Sequence, residues 1–113
     1  MTNAIQFIRE NGVEKAREVV SSAPELAEYY STIDGEYYRI ELHAVNLRHL
    51  KRLVDSVDLI GKYHSIDHAK NHYNNMREAL NQYQYESKDI EDLSNELKQA
   101  IADYESIYGG EHV

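Results

Sequence analysis

At 113 residues the chain suits one domain with a thin core. It holds no cysteine, which excludes disulfides, thiolate nucleophiles and zinc ribbons and points to a reducing cytoplasm. Twelve Lys and Arg face 20 Asp and Glu, a net charge of −8 that disfavours direct nucleic-acid binding and favours basic partners. The imbalance is local. Residues 86–113 carry eight acids and two bases, whereas residues 1–85 carry twelve and ten. No stretch approaches the roughly 20 apolar residues of a membrane span, and the opening MTNAIQFIRE has no secretory pattern, so neither membrane nor export is expected.

Thr2 to Glu10 reads as a short amphipathic helix with Ile5, Phe7 and Ile8 on its apolar side, stopped by Asn11-Gly12. A second short helix runs from Val13, with Val13, Ala16, Val19 and Val20 on one side. It ends before Pro24, because a proline pushes its predecessor out of the α region.

Residues 28–42 read as a β-hairpin. Asp34-Gly35 lies between two strand-like runs, and a type I′ turn needs positive φ at both central positions. A two-residue loop sets Ile33 opposite Glu36, Ser31 opposite Tyr38 and Tyr29 opposite Ile40 on a mostly apolar face. The other face pairs Thr32 with Tyr37 and Tyr30 with Arg39, which predicts Tyr30 and Tyr37 as an exposed aromatic pair. The rival reading is a helix from Pro24 through Tyr30.

Residues 46–108 return to helical spacing. Asn46 caps a helix with Leu47, Leu50, Leu53, Val54, Val57 and Ile60, and Gly61 stops it. Ser65 caps a longer one with Ile66, Ala69, Tyr73, Met76, Leu80 and Tyr83. The last carries Ile90, Leu93, Leu97, Ala100, Ile101, Tyr104 and Ile107 and ends at Gly109-Gly110, with residues 109–113 as a tail. The final two helices either fold back as an antiparallel pair or continue as one helix about 60 Å long, which would require a partner chain. The expected fold is therefore one domain, mainly α with one small β-hairpin. Its C-terminal helices form a helical hairpin or a coiled-coil-like dimer.

Several clusters bear on function. Tyr29, Tyr30, Tyr37 and Tyr38 gather on the hairpin, and tyrosine is enriched at binding hot spots. With the seam residues Tyr73, Met76, Leu80, Leu97 and Tyr104 they form the expected interface. Glu91, Asp92, Glu96 and Asp103 are the expected acidic partner surface: a solvated helix face, or an imitation of the phosphate array of DNA. Arg48, His49, Lys51 and Arg52 are the basic cluster, expected to pair with that acidic helix. His64, His68 and His72 line up at four-residue spacing, a weak metal candidate; His68-Ala-Lys-Asn-His72 lacks the glutamate of the His-Glu-x-x-His protease motif. No phosphate loop, nucleophile elbow or nucleotide fingerprint occurs, and no catalytic residue or cofactor is assigned.

The stretches IQFIRENGVEKAREVVSSAPELAEYY, NLRHLKRLVDSVDLIGKYHSIDHAK and LKQAIADYESI cover over half the chain. They resemble small accessory proteins of unassigned activity from the early regions of lambdoid phages and enterobacterial prophages. The resemblance implies a non-essential factor acting in a bacterial cytoplasm and supplies no catalytic residues. The expectation is a non-enzymatic protein that works by protein–protein interaction and self-association. The alternatives are an acidic DNA mimic directed at a basic host protein and a metal-binding helical protein.

Overall fold

The computed structural model describes residues 3–39, 44–82 and 88–109. In chain order they form α1 (Ala4–Asn11), α2 (Val13–Ser22), β1 (Tyr29–Ser31), β2 (Tyr37–Tyr38), β3 (Ala44–Asn46), α3 (Leu47–Gly61), α4 (Ile66–Gln82) and α5 (Lys88–Tyr108). The fold is mainly helical with a small antiparallel sheet, strand order β2-β1-β3.

Local chemistry sets most helix ends. The Asn3 side chain accepts the Gln6 N–H at 2.7 Å, and that of Asn46 accepts the His49 N–H at 2.9 Å. Ser65 Oγ accepts from His68 N at 3.2 Å. Gly12 turns the chain between α1 and α2 with φ of 90°, a conformation that L side chains rarely adopt. Ala23, before Pro24, is extended, and α2 stops there.

The hairpin forms, but with a different register. Tyr29 faces Tyr38 and Tyr30 faces Tyr37, a slip of two residues from the pairing expected for a two-residue loop. The cause lies in the side chains of the turn. Asp34 Oδ1 accepts the Glu36 N–H, Ser31 Oγ accepts the Ile33 N–H, and Gly35 N donates to Ser31 O. These bonds close a longer loop over residues 32–35. Because side chains alternate with period two, the slip leaves each residue on its expected face.

The two faces do not divide into one buried and one open: Ser31 is buried and Tyr29 and Tyr38 are half-buried on one, and the other is covered as well. Tyr30 and Tyr37 are half-buried against the main core rather than exposed. Their rings lie 5.2 Å apart, Tyr30 meets Phe7 edge-on at 6.0 Å, and the Tyr37 hydroxyl donates to Val19 O at 2.8 Å. The unforeseen third strand contributes to this: Val45, fully buried, pairs with Tyr30, and buried Ala44 pairs with Ser31. Ile40 and Leu42, expected in the second strand, lie outside the described residues.

Two buried clusters organise the rest. One gathers Phe7, Ile8, Val19, Val45, Leu50, Leu53, Val54 and Ile107 from α1, α2, β3, α3 and the end of α5. The other gathers Ile60, Ala69, Met76, Leu97, Ala100 and Ile101 between α3, α4 and α5. The last two helices fold back. Lys70 Nζ meets Glu105 at 2.9 Å and Arg77 reaches Ser94 at 3.4 Å, so the earlier residue of α4 pairs with the later residue of α5. Folding back buries the apolar seam within one chain, which a continuous helix could not do. Arg9 docks α1 onto the far end of α5, donating to the carbonyls of Ser106 at 2.6 Å and Ile107 at 3.0 Å; a cation suits a helix C-terminus.

Candidate functional site

A cleft of about 640 Å³ opens where the end of α2, residues 23–29, β1 and the first turn of α3 meet. Leu47 N donates to Glu28 O at 2.9 Å, which ties the start of α3 to the strand before it. Val20, Ala23, Leu26, Ala27, Tyr29 and Leu47 give the cleft apolar walls. Leu26 is 67% exposed, unusual for a large aliphatic side chain. Arg39, Arg48 and Lys51 bring positive charge to the rim, and Glu25 and Glu28 share it. Lys51 is engaged by Asp55 at 2.9 Å, whereas neither Arg39 nor Arg48 makes an ion pair with another described residue. Guanidinium groups beside apolar side chains in one cleft can hold an acidic ligand that also carries an apolar group.

Asp103 does not belong to the acidic surface. Only 4% exposed, it sits between α3 and α5 and accepts from Arg52 Nε at 3.2 Å and Arg52 Nη2 at 3.1 Å. It also accepts from Ser56 Oγ at 2.7 Å and Gln99 Nε2 at 3.0 Å. Position 103 falls on the side of α5 that faces α3, and a buried carboxylate persists only when paired and hydrogen-bonded. Of the basic cluster, Arg52 pairs with the acidic helix as expected, whereas Lys51 pairs with Asp55 of its own helix. His49, one turn before Arg52, has its pKa pushed below the usual imidazole range, first by burial and then by the Arg52 charge.

The rest of the acidic group stays outside. Glu91, Asp92 and Glu96 are exposed on the first half of α5 and make no ion pair with another described residue. Met76 and Leu97, expected at an interface, are buried inside the chain; Tyr73 and Tyr104 pack partly against the same cluster, and Leu80 is half-buried. Tyr29 and Tyr38 face each other across β1 and β2, both half-buried. The Tyr38 hydroxyl donates to the Asp34 carboxylate, which raises the phenol pKa and lowers that of the carboxyl.

The three histidines are exposed but diverge. His64 and His68 lie with rings 5.3 Å apart, and His72 Nδ1 hydrogen-bonds the Tyr63 hydroxyl at 2.7 Å. Among the described residues no group of three or more His, Asp or Glu side chains is arranged to hold a metal ion. Among the same residues no helix is long and apolar enough to cross a membrane.

Sequence reading missed Leu26, Arg39, Ser56 and Gln99. Ser56 had a signal: a serine within the apolar stripe of α3 marks a buried hydroxyl that needs an acceptor. Leu26 and Arg39 had none, since the cleft exists only once α3 docks beside β1. No family model matches the chain, and no curated protein and no solved structure is similar to it.

Proposed function

We propose that this chain is a non-enzymatic binding protein that works by protein–protein contact, self-association included. The observation that carries the reading is the cleft beside α3. Arg39 and Arg48, which make no ion pair with another described residue, line it together with apolar side chains that include the exposed Leu26, on a chain whose net charge is −8. Such a surface suits a partner that offers carboxylates and an apolar anchor together. A bacterial cytoplasm and a phage or prophage setting rest on the resemblance of residues 5–30, 46–70 and 97–107 alone. Sedimentation velocity over a concentration series tests self-association. A reversible shift from monomer to a defined oligomer is the expected result, and a monomer at every concentration removes self-association from the function.

A second reading has its own observation. Glu91, Asp92 and Glu96 leave α5 with an uncompensated negative face, which favours a basic partner such as a DNA-binding protein of the host. Capture from nuclease-treated bacterial lysate tests it. A basic DNA-binding protein retained by the native chain and lost when all three acids become Lys supports mimicry. The same retention by both forms removes it.

A further inference from the structure

The first turns of α5 expose a side that the rest of the helix buries. Ala100 and Asp103 pack toward α3. Seven residues earlier, at the same angular positions, stand Leu93 and Glu96. Leu93 is 40% exposed and Glu96 lies open to solvent. Glu96 borders Asp55 and Leu59 near the C-terminal end of α3, so the turns before it run past the helix that covers the rest. Asp89 and Asp92 complete that side, at helical spacing from Leu93 and Glu96. The result is an apolar knob flanked by three carboxylates.

The cleft beside α3 has a complementary character: apolar side chains such as Leu26 and Leu47 line it beside Arg39, Arg48 and Lys51, with Glu25 and Glu28. The two surfaces cannot meet within one chain. The cleft lies at Leu47, the carboxylate stripe beside Leu59, and twelve residues of helix separate them by about 18 Å. We propose that the Asp89-Asp92-Leu93-Glu96 side of α5 from a second copy of this chain occupies the cleft. Leu93 enters the cleft beside Leu26, and Asp92 and Glu96 meet Arg39 and Arg48. Lys88, one turn ahead of Asp92, then approaches Glu25 and Glu28, which fixes the direction of the incoming helix. Each copy offers one cleft and one stripe, so a two-fold pair makes the contact twice. This partner assignment rests on the self-association reading above.

A charge exchange followed by sedimentation velocity tests the pairing. One variant carries Arg39→Glu with Arg48→Glu, and the other carries Asp92→Lys with Glu96→Lys. Glutamate in the first turn of α3 suits the helix dipole, so the first variant should keep its fold; circular dichroism and thermal melting check both. Each variant alone should dimerise roughly tenfold or more weakly than the native chain, because like charges then face each other. An equimolar mixture should recover the dimer, since every contact in the mixed pair joins opposite charges. Native dimerisation that persists in both folded variants overturns this interface while self-association stands. A native chain that stays monomeric overturns both. Variants that dissociate but do not recover on mixing show the charges to act elsewhere and overturn the pairing.

Discussion

The two buried clusters are built differently. Around Phe7, Leu50 and Leu53, five elements from the beginning, middle and end of the chain converge, and most of the side chains are large, apolar and almost fully enclosed. The second cluster is formed by three helices alone, α3, α4 and α5. The enclosed residues include Ala69 and Ala100, and polar Ser94 and Asp103 are buried on opposite sides of α5, toward α4 and toward α3. The first region is held by apolar area. The second is narrower, flanked by half-buried Tyr63, Tyr73 and Tyr104, and cross-braced by Arg52 with Asp103, Arg77 with Ser94 and Lys70 with Glu105. Stability should therefore be concentrated in the many-element cluster, and specificity of helix placement in the polar braces.

The sharpest way to break the comparison is to truncate one enclosed side chain in each cluster. Leu53→Ala should cost about 3–5 kcal/mol in urea unfolding, because several rigid elements surround the void and cannot all collapse into it. Met76→Ala, on a helix held against few neighbours, should cost about 2 kcal/mol, since α4 can settle inward. Equal losses would show the two clusters to be equally rigid.

The buried carboxylate offers the next largest effect. Arg52→Ala should cost about 2–3 kcal/mol, as it leaves Asp103 in the interior with only Ser56 and Gln99 as donors; the half-exposed position of Arg52 keeps the loss below that of a fully buried pair. Asp103→Asn should cost less, because a neutral amide can still accept from Ser56. Chemical denaturation of both variants gives the order, and the reverse order would mean that Asp103 is not the costly member.

His49 probes the same brace through pH. Its folded pKa lies below the ordinary value of 6.5, so below pH 6.5 the unfolded chain binds this proton more readily. Its contribution is present above pH 6.5 and is lost as pH falls from there toward the folded pKa. His49→Gln should flatten the fall in melting temperature across that window. An unchanged slope would place the titration elsewhere.

The hydroxyls of the sheet give the smallest effects. Tyr37→Phe should cost about 0.5–1.5 kcal/mol by removing a part-buried bond to Val19 O. Tyr38→Phe, which loses only an exposed bond to Asp34, should leave the melting temperature unchanged. A larger loss at Tyr38 would reverse the assignment of the core face.

How much was legible follows the range of the interactions. Most helix limits were readable because Gly12, Pro24, Asn46, Ser65 and the 3–4 spacing act within a turn of where they sit, whereas the Asn3 cap was missed and the first helix was expected to begin at Thr2. The pairing of the basic cluster with the acidic helix followed from charge alone, though not the choice of Arg52 and Asp103. The hairpin was readable in its existence and face parity but not in its register, since Asp34 and Ser31 spend their side chains on backbone N–H groups. The candidate cleft was the least legible part: its walls come from residues 20–29, 39 and 46–51, joined by contacts that no local pattern encodes.

Local chemistry in the chain determined where helices begin and end, that residues 29–38 turn back on themselves, and that negative charge gathers in the last helix. Those outcomes depend on φ/ψ preference, capping and periodicity, which act between near neighbours. Only the tertiary structure decided that Tyr30 and Tyr37 face inward, that Asp103 is buried while Glu96 is not, and that Leu26 stands open in one cleft with Arg39 and Arg48. Each of these depends on which distant surface arrives to exclude water, and that is settled by the packing of the whole fold.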